Sequence, residues 1–73
     1  MVVVYTLPSC VQCESTKKLL TKNEIPFETV DLSVDEAAME MVKGLGYAAA
    51  PVVVAGDKHW SGFRPDMISS LAA

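Results

Sequence analysis

Val2-Val3-Val4-Tyr5-Thr6-Leu7-Pro8-Ser9-Cys10-Val11-Gln12-Cys13 runs from an unbroken apolar stretch, through a polar turn, into two cysteines two residues apart. The β-branched and aromatic run Val2 to Tyr5 suits a central strand covered on both faces. Thr6-Leu7-Pro8 reads as a loop, and Ser9 with Gln12 has the spacing of a helix capping box, which predicts a helix from Cys10 to Lys22. On that helix Glu14 can pair with Lys17 and Lys18 one turn on, while Leu19 and Leu20 supply apolar contacts. Cys10 then lies in the first turn, where free backbone N–H groups and the positive end of the helix dipole favour a thiolate. Its pKa should fall below the free value of about 8.5. Cys13, three residues further round, lies on nearly the same face but deeper, within reach of a mixed disulfide on Cys10. Cys10 is therefore the candidate nucleophile and Cys13 the candidate resolving thiol.

Other readings of the pair are weaker. A disulfide closing so short a loop stabilises by only about 2 kcal/mol before strain is subtracted, and secreted mini-proteins instead spread several cysteines along the chain. A zinc half-site needs about four ligands, and His59 is the lone imidazole. Two cysteines can also be inert core residues, or two chains can pool four thiolates around zinc or an iron–sulfur cluster. Placement between a strand and a helix cap favours dithiol chemistry.

Outward from the dithiol, Asn23-Glu24-Ile25-Pro26 ends the first helix, because proline lacks an N–H and pushes Ile25 out of the α region. Phe27 to Asp31 alternates as a second strand. Ser33 with Glu36 repeats the capping-box spacing, and Asp35 and Glu36 place negative charge where a second helix would begin. Ala38, Met41, Val42 and Leu45 are its expected inner face, with Gly44 and Gly46 as its stop. Pro51 to Ala55 reads as a third strand, and Gly56-Asp57 turns into a fourth at Lys58-His59-Trp60. Pro65 suits the first position of a final helix whose Met67, Ile68 and Leu71 face inward. The order β-α-β-α-β-β-α implies one domain over residues 1–73, an α/β fold with a four-stranded mixed sheet and three helices. With a right-handed crossover this is the minimal thioredoxin-like, glutaredoxin-like architecture.

Composition narrows the function. Apolar residues make up 51% and charged residues 21% of the 73, the mix of a folded domain near the lower size limit for a single core. The formal charge is -3, and the six Lys and Arg residues are scattered apart from Lys17-Lys18, so nothing here attracts nucleic acid. The first apolar run stops at Thr6, short of a signal-peptide core or a membrane span, with no basic residues before it. A cytoplasmic monomer away from membranes is the expectation.

Three segments resemble the NrdH-redoxins, glutaredoxin-like electron donors of class Ib ribonucleotide reductase. They are Cys10-Val11-Gln12-Cys13, Ala50-Pro51-Val52-Val53 and Trp60-Ser61-Gly62-Phe63-Arg64-Pro65, the last far more specific than the dithiol. The resemblance runs nearly end to end. It implies that electrons come from thioredoxin reductase, a flavoprotein using NADPH, and go to a disulfide of the reductase large subunit. It implies no bound cofactor beyond the redox-active Cys10–Cys13 disulfide. It also places Val11, Gln12, Ala50, Pro51, Trp60, Ser61, Gly62, Phe63 and Arg64 as substrate- or partner-binding positions. Pro51 would be a cis proline beside the dithiol, leaving the Ala50 backbone for an extended substrate segment; the alternative is a trans proline starting an edge strand. Where glutaredoxins carry a Thr-Asp pair for glutathione, this chain has Ser61-Gly62 and lacks the carboxylate. Trp60 and Phe63 can instead cover the sheet edge as core. Arg64 can make a structural ion pair or touch a partner, and His59 is expected to be exposed on the hairpin.

Overall fold

Valine-rich β1 (Val2–Thr6) takes the middle of the sheet, as a strand apolar on both faces must. A computed structural model describes residues 2–72. After β1 come α1 (Val11–Lys22), β2 (Phe27–Asp31), α2 (Glu36–Gly44), β3 (Val52–Ala55), β4 (Lys58–Ser61) and α3 (Pro65–Ala72). The strands lie in the order β2-β1-β3-β4. β1 runs parallel to β2 and antiparallel to β3, and β3 is antiparallel to β4. This is the mixed sheet with three helices that the order of elements predicts.

Alternation along the strands builds two cores. On one face Val2, Val4, Val53 and Trp60 pack with Leu20 of α1 and Ile68 of α3. On the other, Val52 packs with Leu32 and with Val42 of α2, and Tyr5, Leu7, Ala38, Met39 and Tyr47 gather around them. Register carries this through the sheet: Val4 pairs with Val53, and Val53 with Trp60. The side chains of those three positions therefore share a face, and the neighbours Tyr5 and Val52 share the opposite one.

Three local expectations need correction. Cys10, not Ser9, caps α1: Ser9 has φ 58°, in the left-handed region, and the helix begins at Val11. The sulfur of Cys10 takes the capping role, accepting from the Cys13 N–H at 3.1 Å. Asp35 rather than Ser33 caps α2, accepting from the Ala38 N–H at 3.0 Å. Ser33 turns back to Asp31, donating to its carboxylate through N–H at 2.8 Å and through its hydroxyl at 2.6 Å. Those bonds, the hydroxyl first, hold the Asp31 carboxyl below its ordinary value.

The inner face of α2 is also turned from the expected one. Met41 and Leu45 are 38% and 37% exposed, whereas Met39 joins Ala38 and Val42 against the sheet. Because side chains three and four residues apart share a helix face, Val42 can be served by Ala38 and Met39 together. Gly46, at φ 94°, carries the chain out of α2, in the left-handed conformation that glycine adopts without steric cost. The third strand begins at Val52, one residue after Pro51.

Candidate functional site

The N-terminal end of α1, the chain before β3 and the chain after β4 meet at one edge of the molecule. Cys10 and Cys13 are joined there as a disulfide, with Cα atoms 5.2 Å apart. Their surroundings differ sharply. Cys13 is 2% exposed and lies on the buried stripe of α1 with Thr16 and Leu20. Cys10 is half-buried and lines an open hollow with Ser9, Val11 and Glu14. Neighbouring Val11 is 80% exposed. The N–H that Cys13 already aims at the Cys10 sulfur is the kind of donor that favours a thiolate over a thiol. Glu14 puts a carboxylate in the same turn, and Lys17 pairs with it at 3.1 Å, as the spacing predicts.

The Ala50–Pro51 peptide bond is cis, so the reading of Pro51 as a trans edge residue falls. Pro51 is buried and its carbonyl accepts from the Gly62 N–H at 2.8 Å. The Ala49 carbonyl accepts from the Ser61 hydroxyl at 3.3 Å. Ala50 lies between these ties, and among the described residues its own N–H and C=O make no hydrogen bond within the protein.

In the segment Trp60 to Pro65 the expected partner-facing positions separate. Phe63 is 39% exposed and offers an apolar ring, but Trp60 is only 4% exposed. Its pairing with Val53 sends the indole into the core between sheet and helices, and its Nε1 has no partner there. Trp60 thus acts as core, and the aromatic surface expected of it is not available for contact. Gly62 has φ 85°. A β-carbon built there would lie 3.5 Å from the Gln12 Oε1, an ordinary contact, so backbone conformation rather than space calls for glycine. Arg64 grips the Asp66 carboxylate with two bonds, Nε to Oδ1 at 3.2 Å and Nη2 to Oδ2 at 3.0 Å. Arg64 thus makes an ion pair on the surface, with both side chains still largely exposed. Through that pair, its hydrogen bond first, Asp66 is held below its ordinary value and Arg64 above its own.

One link escaped the sequence. The side-chain oxygen of Gln12 accepts from the Phe63 N–H at 3.3 Å and so ties the dithiol turn to the loop after β4. Nothing in the local pattern signals a bond between residues so far apart in the chain. Among the described residues, no group of three or more His, Cys, Asp or Glu side chains is placed to hold a metal ion, and no helix is long and apolar enough to cross a membrane.

Residues 2–60 match the glutaredoxin family model. The glutaredoxin-like protein NrdH of Escherichia coli K12 is 41% identical over 70 residues, which cover 96% of this chain and 86% of that protein. The chain belongs to the glutaredoxin family, among its NrdH-redoxins. NrdH of Lactococcus lactis subsp. lactis is 39% identical over 72 residues, covering 99% of this redoxin and all of its relative, 100%. The solved structure of Escherichia coli NrdH-redoxin superposes with a TM-score of 0.93 at 41% identity, covering 96% of this chain and 92% of that one. This redoxin is accordingly a thiol–disulfide oxidoreductase, and Cys10–Cys13 is its C-x-x-C disulfide.

Proposed function

We propose that the protein carries two electrons at a time from thioredoxin reductase to a disulfide of the class Ib ribonucleotide reductase large subunit. The observation that carries the choice of partners is the 41% identity to NrdH over nearly the whole chain. The exchange step rests on the asymmetry of the dithiol, a half-buried Cys10 at a helix cap and a shielded Cys13 one turn behind it. In the reduced protein the Cys10 thiolate attacks one sulfur of the target disulfide. A mixed disulfide forms and the other target sulfur leaves as a thiolate, which takes up a proton. Cys13 then loses its proton and attacks the Cys10 sulfur, so that the Cys10–Cys13 bond forms and the second target thiolate departs. The target gains two electrons and two protons, and the redoxin is left oxidised. Thioredoxin reductase restores the dithiol with electrons from NADPH, and the redoxin itself needs no bound cofactor.

Val11, next to Cys10, and Phe63, on the loop tied to Gln12, supply exposed apolar surface, the material from which docking sites on a protein partner are made. Gln12, Ser61 and Gly62 hold the surrounding loops, while Ala50 and Pro51 present backbone to an extended substrate segment. Glutathione is the poorer reductant on this reading. Ser61-Gly62 keeps a hydroxyl but no carboxylate, and losing one charge-assisted hydrogen bond, worth about 1.5–3 kcal/mol, weakens binding roughly ten- to a hundredfold. The thioredoxin-like activity profile described for Escherichia coli NrdH-redoxin supports the same assignment. A monomer working in the reducing cytoplasm fits these electron sources.

The test compares NADPH consumption by the oxidised protein with thioredoxin reductase against consumption with glutathione and glutathione reductase. The partner should come from a cell that uses class Ib ribonucleotide reductase. Efficient reduction by the first system and slow reduction by the second is expected; the reverse result overturns the assignment.

A further inference from the structure

Between α2 and the cis proline the chain runs Tyr47-Ala48-Ala49-Ala50, three alanines with no side chain long enough to anchor them. The segment lines a partly open, mainly apolar pocket of about 140 Å³ together with Leu7, Leu32, Met39, Val42 and Lys43. Tyr47 packs on the core of Leu32, Val42 and Val52, whereas the alanines beside the pocket depend more on polar ties. The Tyr47 N–H donates to the Val42 carbonyl of α2 at 3.2 Å, and both side-chain ties come from β4. At one end the Tyr47 hydroxyl lies 2.7 Å from His59 Nδ1, with the two rings edge-to-face and their centroids 5.6 Å apart. At the other the Ser61 hydroxyl donates to the Ala49 carbonyl. His59 and Ser61 are two residues apart on one strand and so project from the same face, opposite to the buried Trp60.

We propose that the Tyr47–His59 hydrogen bond holds the alanine segment as a docking edge for extended disulfide substrates, which makes Tyr47 and His59 positioning residues for the exchange reaction. In neutral His59 with its proton on Nε2, Nδ1 accepts the hydroxyl proton of Tyr47. The bond adds a side-chain tie to the backbone bond that holds Tyr47 to Val42, and the Ser61 tie holds Ala49 toward the other end. The inference rests on the reading that substrate backbone docks at Ala50. It concerns selection among substrates rather than the chemistry at sulfur, because neither residue lines the hollow at Cys10.

The experiment mixes the reduced full-length protein with two probes, a peptide disulfide carrying several residues on both sides of each half-cystine and the small disulfide hydroxyethyl disulfide. The readout is the ratio of the two second-order rate constants. In wild type the flanked peptide reacts faster. Tyr47→Phe and His59→Ala each lower the ratio by about three- to tenfold, the scale of one hydrogen bond, and the double variant lowers it no further. His59→Asn, whose side-chain amide carries an acceptor close to the place of Nδ1, recovers most of the loss. A ratio unchanged in both single variants, a parallel fall in both rate constants, or losses that add in the double variant would each overturn the clasp. If wild type itself shows no preference for the flanked peptide, docking at Ala50 fails, and the clasp with it.

Discussion

The two faces of the sheet are built to different standards. Against α1 and α3 the packing is closed: Leu20, Ile68, Val4 and Val53 have no exposed surface, and the large indole of Trp60 fills the space among them. Against α2 it is open, with Met41 and Leu45 turned to solvent and a cavity left beside Met39. The sulfurs follow the same division. Cys13 belongs to the buried stripe of the closed side, and Cys10 stands where the helix cap meets the surface. A dithiol carrier needs both conditions. One sulfur must be reached by a partner, and the other must be kept from attack by anything except its neighbour.

The largest expected effect tests the division between the sulfurs. Cys10→Ser should abolish turnover of disulfide substrates. Cys13→Ser should still attack but accumulate a mixed disulfide with its target, detected by mass under non-reducing conditions. Alkylation of the reduced protein at mildly acid pH should label Cys10 first. Preferential labelling of Cys13 in mass mapping would erase the asymmetry on which the proposed mechanism stands.

Next in size is the closed face itself. Trp60→Ala should destabilise by about 3–5 kcal/mol, the range for deleting a buried aromatic, as measured by urea unfolding. Once the folded fraction is matched, it should slow reduction by thioredoxin reductase no more than reduction by dithiothreitol. A selective loss with the reductase would return Trp60 to the role of surface contact.

Comparing one truncation from each face gives a finer measure. Leu20→Ala should fall in the upper part of the about 2–5 kcal/mol range for core truncations. Met39→Ala should fall at or below its lower end, because Met39 already borders empty space and leaves fewer contacts to lose. Equal losses in urea midpoint would mean that the α2 face is packed as tightly as the other.

The smallest effect is electrostatic. The Asp31 carboxyl is lowered from 3.8 by the Ser33 hydroxyl and N–H, and the Asp66 carboxyl is lowered from the same value chiefly by its hydrogen bond to Arg64. A folded-state value below the unfolded one favours folding above the unfolded pKa, and the gain is lost as pH falls through the folded value. Ser33→Ala and Arg64→Ala should therefore each be slightly less stable than wild type at neutral pH, by small amounts because these groups are in water. Both deficits should vanish at pH well under 3.8. A deficit that persists in acid would point to lost packing instead.

The element order was legible because short-range patterns set it. The valine run asks for a covered strand, Gly46 carries the chain out of α2 and Pro65 starts α3, whereas α1 ends at Lys22, ahead of Pro26, with Glu24 at φ 57°. The strand-turn-helix setting of Cys10 and Cys13 made the redox site legible too, and the motifs around Pro51 and Gly62 marked the segments that surround it. Tertiary structure decided what those segments do. Trp60 turned inward because β4 registers with Val53, which the sequence does not state. Cys10 displaced Ser9 as cap once Ser9 adopted a positive φ in the turn out of β1. Gln12 reached Phe63, and Tyr47 reached His59, only because the sheet order brings those loops together. The physical reason is the range of the forces involved: turn chemistry and helix caps act within about four residues and can be read along the chain. A hydrogen bond or buried ring between distant segments depends on strand order and register, and these are settled only when the whole core has packed.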